Sequence, residues 1–171
     1  HFELNNCELK LSGEIKSIIE NTYPGFEIWE RNDFAFDCGK TSDTYECNAH
    51  QSPNSVIGDF NGDTIIDVVL NGHNTKNDLI IALISENNSY SVIDVSKKDL
   101  SDPKHKLPNQ LGSEVGIWIY LSHQPPGKIK SPYENNTLDL KTDAFQIIYC
   151  GKASTLYYWN KNKFEEYAIS D

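Results

Sequence analysis

Ser55-Val56-Ile57-Gly58-Asp59-Phe60-Asn61-Gly62-Asp63-Thr64-Ile65-Ile66-Asp67-Val68-Val69-Leu70 sets two short apolar runs on either side of a polar turn. Ser55–Phe60 and Ile65–Leu70 have strand composition, and Asn61-Gly62 between them is the strongest short hairpin signal in the chain. Downstream the pattern repeats. Asp78–Ile84 and Tyr90–Val95 flank the polar Ser85–Ser89, and Ala144–Cys150, Thr155–Trp159 and Phe164–Ile169 form a closing meander with turns at Gly151-Lys152 and Asn160–Lys163. Short polar turns favour antiparallel pairing over crossover connections. Phe26–Glu30 reads as a short strand. Val115–Leu121 is apolar on both faces, as in a central strand covered on both sides, and places Trp118 in the core.

Upstream, residues 12–22 read as the one clear helix. Ser12 is a suitable N-cap, Glu14 lies in the electropositive first turn, and Ile15, Ile18, Ile19 and Tyr23 recur at helical spacing before Pro24-Gly25. The fold class expected is α+β: one N-terminal helix packed on a mainly antiparallel β-sheet, in a single domain over residues 1–171. Ser96–Ser113 and Ser122–Thr142, the latter with Pro125-Pro126-Gly127 and Pro132, read as long loops without regular structure.

The 171 residues carry 25 acids against 15 bases, a formal charge of −10. The surplus is concentrated early: 11 acids and 4 bases before residue 61, against 6 and 6 after residue 120. One base is arginine, and no basic cluster tracks a phosphate backbone, so nucleic acid is a poor partner. No apolar run is long enough to span a membrane as a helix. The chain begins at His1 and contains no methionine, as expected of a mature chain after removal of a signal peptide or of a trimmed one.

Cys7, Cys38, Cys47 and Cys150 allow three pairings. Cys38 and Cys47 are close in a turn-rich stretch, so a local bridge is easy to close, which leaves Cys7 with Cys150. The absence of any CxxC pair speaks against zinc, and four reduced thiols in a cytosolic protein remain an open alternative. Disulfides place the chain in an oxidising compartment, secreted or periplasmic.

The sharpest chemical signal lies inside the opening hairpin. Side-chain oxygens recur at relative positions 1, 3, 5 and 9: Asp59, Asn61, Asp63 and Asp67. Calcium takes six to eight oxygens, and the backbone carbonyl of Ile65, at position 7, supplies another. Magnesium keeps its own waters, while zinc and copper prefer nitrogen or sulfur. The loop is not an EF-hand, because position 12 is Leu70 and the flanks are strands. A plain acidic turn is the alternative, but it leaves three crowded carboxylates uncompensated.

The string GDFNGDTIIDVVL resembles the calcium hairpin of FG-GAP and VCBS type repeats, with pattern GDxNGDGxxDxxV. The resemblance implies calcium held by Asp59, Asn61, Asp63 and Asp67. Thr64 departs from it, standing where the pattern has glycine. The motif occurs once, which does not support a propeller. More widely, Tyr23-Pro24-Gly25 after the helix, one such hairpin and the C-terminal meander resemble a group of small exported bacterial proteins that carry a single loop of this kind.

No GxSxG, HExxH or Walker glycine loop is present. The histidines are scattered; His73 follows the hairpin and either lines a site beside it or is an exposed turn residue. Cys150 reads as a disulfide partner rather than a nucleophile. Tyr149, Tyr157, Tyr158, Trp159 and Tyr167 alternate as core and cross-strand residues do, with a sugar- or protein-binding platform as the alternative. The expectation is an exported, monomeric, non-enzymatic module that binds one structural calcium ion and a protein or carbohydrate partner. The alternative is a small hydrolase with an acidic site beside the hairpin.

Overall fold

The computed structural model describes residues 1–30, 33–34, 47–102, 104, 117–133 and 135–170. Ser12, in extended backbone, opens helix α1 (Gly13–Thr22) and accepts the Ile15 N–H on its hydroxyl at 3.4 Å. Ile15 and Ile19, one turn apart, are buried, and the following Gly25 takes φ +71° to turn the chain out of the helix. Before the helix comes a ribbon of β1 (Phe2–Asn5) and β2 (Glu8–Leu11), turned through Asn6 and Cys7, both left-handed. Phe2 and Leu4, and Leu9 and Leu11, alternate with polar residues as strand residues do, a local signal the sequence expectations did not include.

The helix lies on a sheet made of β4 (Gln51–Ser52), β5 (Ser55–Gly58), β6 (Asp67–His73), β7 (Asn77–Glu86) and β8 (Ser89–Asp99), hydrogen-bonded in that order. The short β3 (Glu27–Ile28) also pairs with β6. Every neighbour is antiparallel. Val68, Leu70, Leu79, Ile81 and Leu83 face the helix. Val56, Val69, Ile80, Ala82 and Ile84 face the opposite way. Strands β6 and β7 are therefore buried on both faces.

Val115–Leu121 does not have that role. The strand there is β9 (Ile119–Gln124), an edge of a second sheet with β12 (Ala144–Tyr149), β13 (Ser154–Asn160) and β14 (Lys163–Ser170), in the order β14-β13-β12-β9; residues 115–116 lie outside those described. Its apolar faces have different coverings: Leu121 points between the sheets, whereas Ile117 and Tyr120 pack with Trp29 and Phe34. Trp118 is 46% exposed rather than core. An apolar run records contact on both sides, not a central place in the sheet.

Ser122–Thr142 is not a structureless loop either. After β9 the chain forms a ribbon of β10 (Gly127–Lys130) and β11 (Thr137–Leu140). Ile129, Leu138 and Leu140 cover Ala144, Leu156 and Tyr167 on the outer face of the second sheet. The prolines punctuate this ribbon. Tyr167 staples it, its hydroxyl accepting from Ser131 N–H at 3.3 Å and donating to Asn136 C=O at 2.5 Å. Of Ser96–Ser113, the first four residues continue β8, while residues 103 and 105–116 lie outside those described.

The layers run from α1 with the β1–β2 ribbon, through the two facing sheets, to the β10–β11 ribbon. Phe60 plugs the space between the sheets edge-to-face with Phe145 and Phe164. The molecule is a β-rich α+β fold with one α-helix near the N-terminus among the described residues. No described helix is long and apolar enough to cross a membrane.

Cys7, in the β1–β2 turn, is bonded to Cys47, with Cα atoms 5.2 Å apart. This replaces the expected Cys38–Cys47 and Cys7–Cys150 pairs. Nearness in sequence favours closure in an unfolded chain, but native pairing follows which Cα atoms the fold brings within reach. Cys150 is also part of a disulfide, and Cys38 lies outside the described residues.

Candidate functional site

Strand β5 ends at Gly58 and β6 begins at Asp67, so the intervening loop must turn sharply, and it does so around its own side chains. Asp59 Oδ1 accepts the N–H groups of Gly62 (2.8 Å) and Asp63 (3.1 Å), and Asp59 Oδ2 accepts that of Thr64 (3.0 Å). Asn61 Oδ1 accepts Asp63 N–H at 3.1 Å, and Asp63 Oδ1 accepts Ile65 N–H at 2.8 Å. Each oxygen at positions 1, 3 and 5 is thus curled inward by a downstream amide. Gly62 sits at φ +81° and Thr64 at φ +71°. Left-handed backbone costs glycine nothing and is a true outlier for a β-branched residue.

Asp67, the last side chain of the set, is fully buried. Its carboxylate accepts Phe60 N–H at 2.9 Å and Ser85 N–H at 2.8 Å. Burial pushes its pKa up to about 6 despite those bonds. For Asp63, burial also pushes upward, but hydrogen bonds from Ser85, Ile65 and Asn61 outweigh it and hold the carboxyl below its ordinary value. Ser85 joins the two acids, since its hydroxyl donates to Asp63 Oδ2 at 2.6 Å. Asn61 Nδ2 reaches Ser85 C=O at 2.9 Å. The Ile65 side chain is 41% exposed at the loop tip.

Ser85 belongs to β7, so loop spacing gave no sign of it. Asp143 was equally hidden: it leads into β12, and its Oδ2 accepts Asp59 N–H at 3.0 Å. Its other oxygen meets His123 Nε2 at 2.9 Å, and the His123 ring stacks on His50 with centroids 4.7 Å apart. Burial keeps the His123 pKa low, against the opposing pull of Asp143.

His73 is not beside the hairpin. It ends β6, while the loop adjoins the start, so six residues, or roughly 20 Å of strand, separate them. There it stacks on Trp29 at 3.9 Å and lines a cleft of about 1030 Å³ under α1. The C-terminal aromatics are mainly core: Tyr167 is buried, Tyr157 stacks on Phe145 at 5.3 Å, Trp159 meets Phe164 edge-to-face at 5.0 Å, and Tyr149 is 37% exposed.

Among the described residues, no three His, Cys, Asp or Glu side chains are gathered closely enough to hold a metal by themselves. Within the loop, Asp59, Asn61 and Asp63 share hydrogen bonds, and Asp67 joins them through Phe60 and Ser85. Asp59 Oδ1 and Asp63 Oδ2 each accept two hydrogen bonds, whereas Asp59 Oδ2 and Asp63 Oδ1 each accept one and keep a lone pair for a further contact. No family model, curated protein or solved structure matches this chain.

Proposed function

We propose that the hairpin of residues 58–68 takes up one calcium ion in a structural role, within an exported, non-enzymatic binding module. Asp59, Asn61, Asp63, Asp67 and the Ile65 carbonyl are the ligands of this reading. The observation that carries it is electrostatic. Among the described residues, no lysine, arginine or histidine forms an ion pair with Asp59, Asp63 or Asp67, which are held by N–H and O–H donors alone. Three carboxylates in one turn then attract a hard cation, and an all-oxygen donor set suits calcium. The Cys7–Cys47 bridge supports an oxidising compartment, secreted or periplasmic.

Adding calcium to chelator-stripped protein is expected to raise Tm by about 5–10 °C at a hundredfold excess over Kd. Asp63→Ala is expected to abolish the rise. An unchanged Tm in the parent protein overturns the site.

The hydrolase alternative draws on the His123–Asp143 contact next to Asp59. It requires turnover of p-nitrophenyl esters or glycosides that disappears in His123→Ala.

A further inference from the structure

Three turns meet at one end of the sandwich: the hairpin loop, the β7–β8 turn and the β13–β14 turn. They bring Asn61, Asp63, Glu86 and Asn162 around a pocket of about 280 Å³, whose apolar wall is Ile84, Ile93 and Trp159. The two sequence features singled out separately, the GDFNGD hairpin and the C-terminal Tyr-Tyr-Trp strand, thus share one cavity.

We propose that this pocket binds one neutral monosaccharide ring. Its volume lies just below the range of roughly 300–1,000 Å³ typical of drug-sized ligands, which suits a single ring. The walls are divided as a sugar is divided. An indole and two isoleucines meet the C–H face, and carboxylate and amide oxygens accept from hydroxyls at the rim. Trp159 is fixed edge-to-face on Phe164 at 5.0 Å, so its position is set before the ligand arrives. Glu86 is exposed. Its Oε2 accepts from Ser91 at 3.0 Å, while Oε1 has no partner among the described residues. Among the described residues no cationic side chain lines the pocket, which disfavours phosphates and sugar acids. The proposal rests on the calcium reading in one respect: the ion offsets the charge of Asp63 and engages the Asn61 oxygen, which leaves Glu86 and Asn162 as the rim acceptors.

The test titrates the full calcium-loaded chain with D-glucose, D-galactose, D-mannose, L-fucose and N-acetyl-D-glucosamine by calorimetry and amide chemical-shift mapping. Saturable binding of at least one sugar, weakened tenfold or more by Trp159→Ala or by the rim variant Glu86→Gln, supports the pocket. Absence of saturable binding to all five, or binding that both variants retain, overturns it. A calcium-dependent rise in Tm without sugar binding removes this proposal and leaves the metal reading standing; absence of that rise removes the metal reading itself.

Discussion

Asp143 and Asp59 hold each other by two hydrogen bonds. Asp59 N–H donates to Asp143 Oδ2 at 3.0 Å, and Asp143 N–H donates to Asp59 C=O at 3.2 Å. The hairpin of one sheet is thereby tied to the turn that feeds the other. The approach needs bare backbone: a Cβ on Gly58 would lie 2.9 Å from the Asp143 side chain, and one on Gly62 would lie 2.9 Å from Thr142 Cγ2.

Removing the Asp143 carboxylate leaves the Asp59 N–H and His123 Nε2 without their acceptor. Asp143→Ala is expected to cost about 1–3 kcal/mol in urea denaturation. Asp143→Asn, which keeps an acceptor oxygen, is expected to recover most of it. Equal stability of all three proteins would remove the clamp.

Asp67 couples the loop to pH. Its pKa of about 6 stands above the ordinary 3.8, so the native state binds this proton more tightly than the unfolded chain does. The resulting stabilisation, on the order of 2–3 kcal/mol, is full below about pH 4 and is lost as pH rises through 6. On the proposed calcium reading the ion selects the carboxylate, so its stabilising effect is expected to be weak at pH 5 and to grow towards pH 7.5. Urea denaturation at several pH values checks the sign, with Asp67→Asn as the flattened reference.

Thr64 adopts φ +71° at the position where the resembled calcium hairpins have glycine. Thr64→Gly releases about 1–2 kcal/mol of left-handed strain, and the looser unfolded chain takes back about 0.4–1 kcal/mol. The expected net is a gain of about 1 kcal/mol, with calcium affinity raised or unchanged. A clear destabilisation in thermal melts would contradict the assigned strain.

The Cys7–Cys47 bridge closes a separation of 40 residues. In the chain-entropy model it is worth about 4 kcal/mol, and measured values often fall short of that. Cys7→Ser with Cys47→Ser is expected to lower Tm by several degrees, and non-reducing peptide mapping should find the Cys7–Cys47 peptide pair.

Much of the fold was legible because it is local. The Ser12 cap, the Ile15–Ile19 spacing, the pairing of β5 with β6 and the last three strands all depend on residues close in sequence, although β5 and β6 are joined by the loop of residues 59–66 rather than by a tight Asn61-Gly62 turn. What escaped depends on distant contacts. The β10–β11 ribbon is held by a hydroxyl from β14, and Cys7 meets a cysteine that only the fold brings near. The edge placement of β9 follows from what packs on each side of it. Spacing picked out Asp59, Asn61, Asp63 and Asp67 as the proposed ligands, whereas Ser85 and Asp143 reach the loop from elsewhere in the chain and leave no local trace.

The strand order β4-β5-β6-β7-β8 follows the chain, as does β12-β13-β14. This sequential layout has a consequence in time. Each of these ladders zips from a turn already closed, so the entropic toll of joining remote segments falls on a few steps, chiefly β3 to β6 and β9 to β12. Contact order therefore predicts that the two meanders form first and that their docking around Phe60 follows. Because the Asp59–Asp143 clamp spans that seam, the loop acquires its final shape only when the halves have met.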